Sequence, residues 1–197
     1  SSKYLILSAT ASSEIYKELF KNEIEIIDLP QPQMKANILQ YTSFNLTKHS
    51  LEEKRSEAML KLHEYSENDY KTISFKELEP DAHFYSLSSN NNLSGENLVI
   101  IGTPNPNLNR FKLLLHTVGF ENPEIKPYNE LNYEEDTYRN RRIYYFKVSN
   151  DQKINEIYYS MIESELVQAI GRTRPFEHES KVVIFSNFIL PDYAKTW

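Results

Sequence analysis

The stretch richest in potential chemistry is Glu165-Leu166-Val167-Gln168-Ala169-Ile170-Gly171-Arg172-Thr173-Arg174-Pro175. A helix that runs to Arg172 sets Gln168 and Arg172 four residues apart on one face. Gly171 keeps that surface low, so another body can approach the backbone. Arg172 and Arg174 then project from one helix end as planar, permanently charged forks that suit phosphate oxygens. The alternative is that they neutralise Glu177 or Glu179 at the surface. A second stretch is the polar run from Ser88 to Asn97, which feeds the apolar strand Leu98-Val99-Ile100-Ile101 and ends in Gly102-Thr103-Pro104. Ligands of open α/β sheets sit beyond the carboxyl ends of strands. The Gly-Thr-Pro turn and the arginines are therefore both expected at that edge. A solvated loop ahead of a core strand is the plainer reading of the second stretch.

These residues need a scaffold. Lys3–Ser8 is a compact apolar run that reads as a buried strand, and Ser12 or Ser13 caps a helix through about Phe20. Ile24–Leu29 reads as a second strand closed by Pro30 and Pro32, and Asn37–Phe44 as a third. Leu51–Tyr65 is a charged helix with a narrow apolar stripe. Lys71–Phe75, Phe84–Leu87, Leu98–Ile101, Ile143–Val148 and Lys181–Ser186 read as further strands. Asn107 caps a helix over 108–118 that stops at Gly119, and a long helix follows Asp151 with Ile154, Ile157, Tyr158, Met161, Ile162 and Leu166 at helical spacing. The polar region 129–142 carries no assignable pattern. Alternating strands and helices, with several strands apolar on both faces, predict a three-layer α/β fold: a mostly parallel sheet with helices on both faces.

Composition narrows the classes. The chain has 197 residues, 40% hydrophobic and 25% charged, which is globular rather than disordered usage. No apolar run is long enough to span a membrane, no secretory leader is recognisable, and there is no cysteine to build disulfides or thiolate metal sites. A cytoplasmic setting fits. A net charge of −6 argues against binding nucleic acid through bulk positive charge, although a local track needs only a few side chains. The five histidines, His49, His63, His83, His116 and His178, show no metal-ligand spacing. Plentiful Asn, Lys, Ile and Tyr suggest an AT-rich genome.

Gln168-Ala169-Ile170-Gly171-Arg172-Thr173-Arg174 resembles the last motif of superfamily-two helicases, Q-x-x-G-R-x-x-R. Ser8-Ala9-Thr10 is similar to that family's S-A-T motif, Gly95–Pro104 to its preceding glycine-containing motif, and Lys71–Lys76 to the strand motif that opens the second motor domain's nucleic-acid surface. All four occur in the family's order. Two departures stand out: the family's second arginine falls where this chain has Pro175, one place after Arg174, and its Gly-x-Asp is here Gly95-Glu96-Asn97.

The resemblance implies residues 1–10 as the last strand and S-A-T motif of a preceding motor domain, and 11–197 as a second RecA-like helicase domain, of a phage or mobile-element type. It implies ATP and Mg²⁺ as cofactors, held mainly by the N-terminal motor domain, because the chain has no G-x-x-x-x-G-K-[ST] loop and no acidic magnesium motif. By the same carry-over, Arg172, Arg174 and Gln168 act on the γ-phosphate. Gly95, Asn97 and Gly171 line the nucleotide cleft, and Asn97 accepts a ribose hydroxyl. Ser74, Lys76 and Thr103 contact the phosphates of nucleic acid, with DNA favoured over RNA, and Ser8 and Thr10 couple the domains. Two other classes compete: a non-catalytic interaction domain with a degenerate helicase fold, and a small-ligand α/β enzyme, for which no nucleophile–base set or dinucleotide glycine signature is present. The basic aromatic stretch Arg139–Tyr145 either stacks on bases or is a solvated turn leading into a strand.

Overall fold

The parallel sheet grows from short β-branched and aromatic runs that alternate with helices along the chain. The computed structural model describes residues 13–21, 23–27, 33–87, 92–190 and 192–196. Its elements are α1 (Ser13–Leu19), β1 (Asn37–Tyr41), α2 (Leu51–Glu67), β2 (Lys71–Ser74), β3 (Ala82–His83), β4 (Leu98–Ile101), α3 (Leu108–Thr117), β5 (Tyr133–Tyr138), β6 (Arg141–Phe146), α4 (Gln152–Gly171), β7 (Lys181–Phe185) and β8 (Lys195–Thr196). Six strands form one sheet in the order β3-β2-β4-β7-β1-β8, with every pair parallel. β4 and β7 lie at its centre. Leu98–Ile101 are all buried, as are Val182–Phe185, as strands covered on both faces require.

The chain moves one way along the sheet from β1 through α2 to β2, and the other way from β4 through α3 and α4 to β7. Right-handed crossovers therefore place α2 on one face and α3 with α4 on the other. On the first face Tyr65 of α2 meets Phe185 edge-on at 5.6 Å, and Lys61 lies over the Phe185 ring at 4.8 Å. On the second, Phe111 of α3 packs edge-on against Tyr158 of α4 at 5.3 Å. The expected three-layer α/β architecture is thus the observed one.

Several boundaries differ from the sequence reading. Asn107 caps α3 as expected, its Oδ1 accepting the N–H groups of Asn109 and Arg110. Residues 24–27 of the expected Ile24–Leu29 strand have no regular structure, and Ile26 and Ile27 are exposed, because no strand among the described residues pairs with them. In place of the expected Phe84–Leu87 strand, Ala82–His83 just ahead of it pair with β2. Tyr85 there turns to φ +65°. The expected Lys3–Ser8 strand lies outside the described residues.

The unassigned polar region contains β5, which pairs antiparallel with β6 in a separate two-stranded hairpin. Its two-residue turn, Arg139-Asn140, has φ of +49° and +61°, the double positive signature that matches strand twist. The hairpin lies across α4: Tyr138 Oη donates to Glu163 Oε2 at 2.6 Å, and Tyr159 Oη donates to Asp136 Oδ2 at 2.9 Å. The covering hairpin explains why α4 is buried almost all round rather than along one stripe.

Candidate functional site at the amino edge of the sheet

A crossover helix runs antiparallel to the strand it feeds, so α4, which leads into β7, ends at the amino edge of the sheet. The residues that follow it are bound there. Pro175 O accepts the N–H groups of Lys35 and Ala36 just ahead of β1, and Ser180 O accepts that of Asn37. Arg172 and Arg174 accordingly stand at the amino edge, not at the carboxyl edge where the strand-end rule places them. The Gly95 loop shares that edge. Gly95, at φ +78°, donates its N–H to Thr173 O at 3.0 Å, and the His178 ring lies 3.5 Å from where a Cβ on Gly95 would sit. The two stretches singled out by their glycines and arginines therefore meet, through a backbone hydrogen bond.

Arg172 is the C-cap of α4 and half-buried. Its Nε is buried with no hydrogen-bond partner, and no carboxylate pairs with the guanidinium among the described residues. Glu165 lies within its field: burial raises the Glu165 pKa, while the Tyr85 N–H and the Arg172 charge pull it back. A buried cationic N–H without an acceptor is costly and marks a place where an anion can bind. Arg174 differs. It sits at φ +53°, its Nη1 meets Glu177 Oε2 at 3.3 Å in solvent, and its carbonyl caps the Glu177 and His178 N–H groups. The surface-neutralising alternative thus describes Arg174 and not Arg172.

The other residues at this edge have graded freedom. Gln168 is half-buried on the face that leads to Arg172. A Cβ on Gly171 would meet nothing within 4 Å, so the helix surface is open there. Asn97 ties strand starts together: its Oδ1 accepts the Lys181 N–H at 2.9 Å and its carbonyl accepts the Lys71 N–H at 2.8 Å. That engages the oxygen expected to accept a ribose hydroxyl. Ser180, which no sequence pattern marked, is buried with its Oγ unpartnered at the same edge. Ser8 and Thr10 lie outside the described residues.

No family model, curated protein or solved structure matches this chain.

Ser74 and Thr103 lie at the opposite, carboxyl edge, and neither hydroxyl reaches solvent. Ser74 Oγ donates to Ile101 O at 2.6 Å, and Thr103 Oγ1 lies 2.7 Å from Ser186 Oγ and donates to Asn187 Oδ1 at 2.9 Å. These side chains fasten strand ends together and do not present oxygens to a phosphate. Lys76, in the short 3₁₀ turn after β2, is exposed as expected. Gly102 beside them has φ +111°, and a Cβ there would fall 2.7 Å from the Phe75 ring. The close approach of that ring accounts for the glycine. Among the described residues no group of three or more His, Asp or Glu is placed to hold a metal ion, and no helix is long and apolar enough to cross a membrane.

Proposed function

We propose that this chain is the second motor domain of an ATP-driven nucleic-acid helicase or translocase, working with a domain that carries the phosphate loop. The observation that carries this reading is the junction at the amino edge. Arg172, with a buried unsatisfied Nε and no ion-pair partner among the described residues, stands one residue before Thr173, whose carbonyl holds the Gly95 loop. A cation and a glycine turn so joined suit the phosphate end of a nucleotide that bridges two domains. Bound ATP would supply the phosphoryl group whose transfer drives the cycle, and Mg²⁺ would be held mainly by the partner domain, as the helicase resemblance implies. Arg172 orients and neutralises charge on the terminal phosphate, Gln168 positions the polar groups beside it, and Asn97 and Gly171 line the approach. Residues 1–10, with Ser8 and Thr10, are assigned to the connection with the partner domain.

The decisive test is Arg172→Ala in the two-domain protein. Turnover of ATP should fall by about 10³-fold or more, the scale of arginine fingers elsewhere, with ATP binding nearly unchanged. Retained, nucleic-acid-stimulated turnover would remove the assignment. One observation favours a second reading, a non-catalytic interaction domain that keeps the fold: Arg174 is engaged with Glu177 and turned by its own backbone. Under that reading neither Arg172→Ala nor Arg174→Ala changes ATP turnover, because the parent protein has none.

A further inference from the structure

The basic aromatic stretch Arg139–Tyr145 is left unused by the amino-edge site, and the hairpin divides its rings between two faces. Tyr138 and Tyr145 point inward, buried against α4. The pairing register places Tyr133 with Phe146, Glu135 with Tyr144 and Thr137 with Arg142, so these six share the other face. On that face Tyr144 is 64% exposed and stacks on Tyr133 at 5.8 Å with the rings 23° apart, and Tyr133 in turn lies 4.2 Å from Phe146.

This row of rings runs into the carboxyl edge of the sheet. Tyr133 Oη accepts from Asn187 Nδ2 at 2.9 Å, and Asn187 joins the Thr103 hydroxyl at the end of β7. The Asn45 side chain lies beside the same Tyr133 hydroxyl, and its Oδ1 is buried without a partner. A second exposed ring pair, His49 on Tyr128 at 4.0 Å, belongs to this end of the molecule, and Tyr128 Oη accepts the Leu108 N–H at the start of α3.

We propose that the outer face of the hairpin, with Tyr144 and Tyr133 as stacking rings, is a binding platform for the bases of single-stranded nucleic acid. The inference rests on the proposed motor reading and names how that domain grips its strand. Charge selects bases over phosphates as the main contact. The face carries Glu135 as well as Arg142, the chain as a whole is negative, and Ser74 and Thr103 are turned inward. Stacking on aromatic rings is indifferent to base identity, which suits a strand that must slide. Tyr133 stays protonated at any ordinary pH, because burial raises its pKa while the Asn187 and Asn45 side chains lower it only in part.

The test is fluorescence anisotropy of a labelled oligodeoxythymidine and of an abasic strand of equal length, with the unsubstituted chain, Tyr144→Ala and Tyr144→Trp. Thermal melting should be alike for all three, since the ring is mostly exposed. The unsubstituted chain should bind the thymidine strand at least about tenfold more tightly than the abasic one. Tyr144→Ala should erase most of that preference, and Tyr144→Trp should keep it. Equal binding of both strands, or a thymidine affinity unchanged by Tyr144→Ala, overturns the platform and leaves the motor reading standing. Failure of the unsubstituted chain to bind either strand, together with no nucleic-acid stimulation of ATP turnover in the two-domain protein, sinks the motor reading and the platform with it.

Discussion

Glu165 and Arg172 show how one helix end is tuned. Burial raises the Glu165 pKa, offset in part by the Tyr85 N–H bond and by Arg172 two turns away. A carboxyl whose folded pKa is raised contributes stability that is full below the unfolded value, about 4.3. That contribution is lost as pH rises through the folded value. Stability should therefore decline from about pH 4 towards neutrality by an amount that Glu165→Gln removes, since glutamine can still accept the Tyr85 N–H. Thermal melts of both proteins across that range check this, and parallel curves would reject the assignment. At the same scale, glutamine, glycine and arginine types announced the Arg172 segment in the sequence. The pairing of Arg174 with Glu177, the engaged oxygen of Asn97 and the orphaned Ser180 hydroxyl did not show there, because each depends on which backbone groups the fold brings near.

Among the elements, α4 and its hairpin carry most of what periodicity missed. The hydrophobic spacing along α4 indicates a helix, but not that Asp136, Tyr138 and Tyr145 cover its outer side. The first strand of the hairpin was hidden because β5, Tyr-Glu-Glu-Asp-Thr-Tyr, lacks the usual apolar alternation, and Arg139-Asn140 is a less common turn pair than Asn-Gly. Asn155 fastens the hairpin's exit to α4. Its Oδ1 accepts the N–H groups of Val148 and Ser149, and its Nδ2 donates to Ser149 O, all in the interior. Asn155→Ala leaves those groups without partners and should cost about 2–4 kcal/mol. Urea denaturation should then show a lower midpoint with an unchanged slope, whereas an unchanged midpoint would mean that the staple contributes nothing.

For the whole molecule, the sheet separates the two proposed sites by one strand length. The amino edge holds Arg172, Gly95, Asn97 and Ser180, and the carboxyl edge adjoins the aromatic face of the hairpin. Between them β4 and β7 are buried on both faces, while β8 has two exposed residues at the sheet's margin. Native-state hydrogen exchange should find the β4 and β7 amides opening only with global unfolding. Those of β8 should exchange through local fraying. Equal protection in all three strands would contradict a sheet whose centre is its most stable part.

Local chemistry was enough to determine the alternation of strands and helices, the cap at Asn107, the long helix after Asp151, and the stretch that carries Gln168 and Arg172, since each depends on residues within a few positions of one another. The edge at which the arginines stand was decided only by tertiary structure, because it follows from the direction in which α4 returns to β7. The same holds for the inward turn of Ser74 and Thr103 and for the outward stack of Tyr133 and Tyr144. Those are set by pairing register and by neighbours distant in sequence, which no local pattern records.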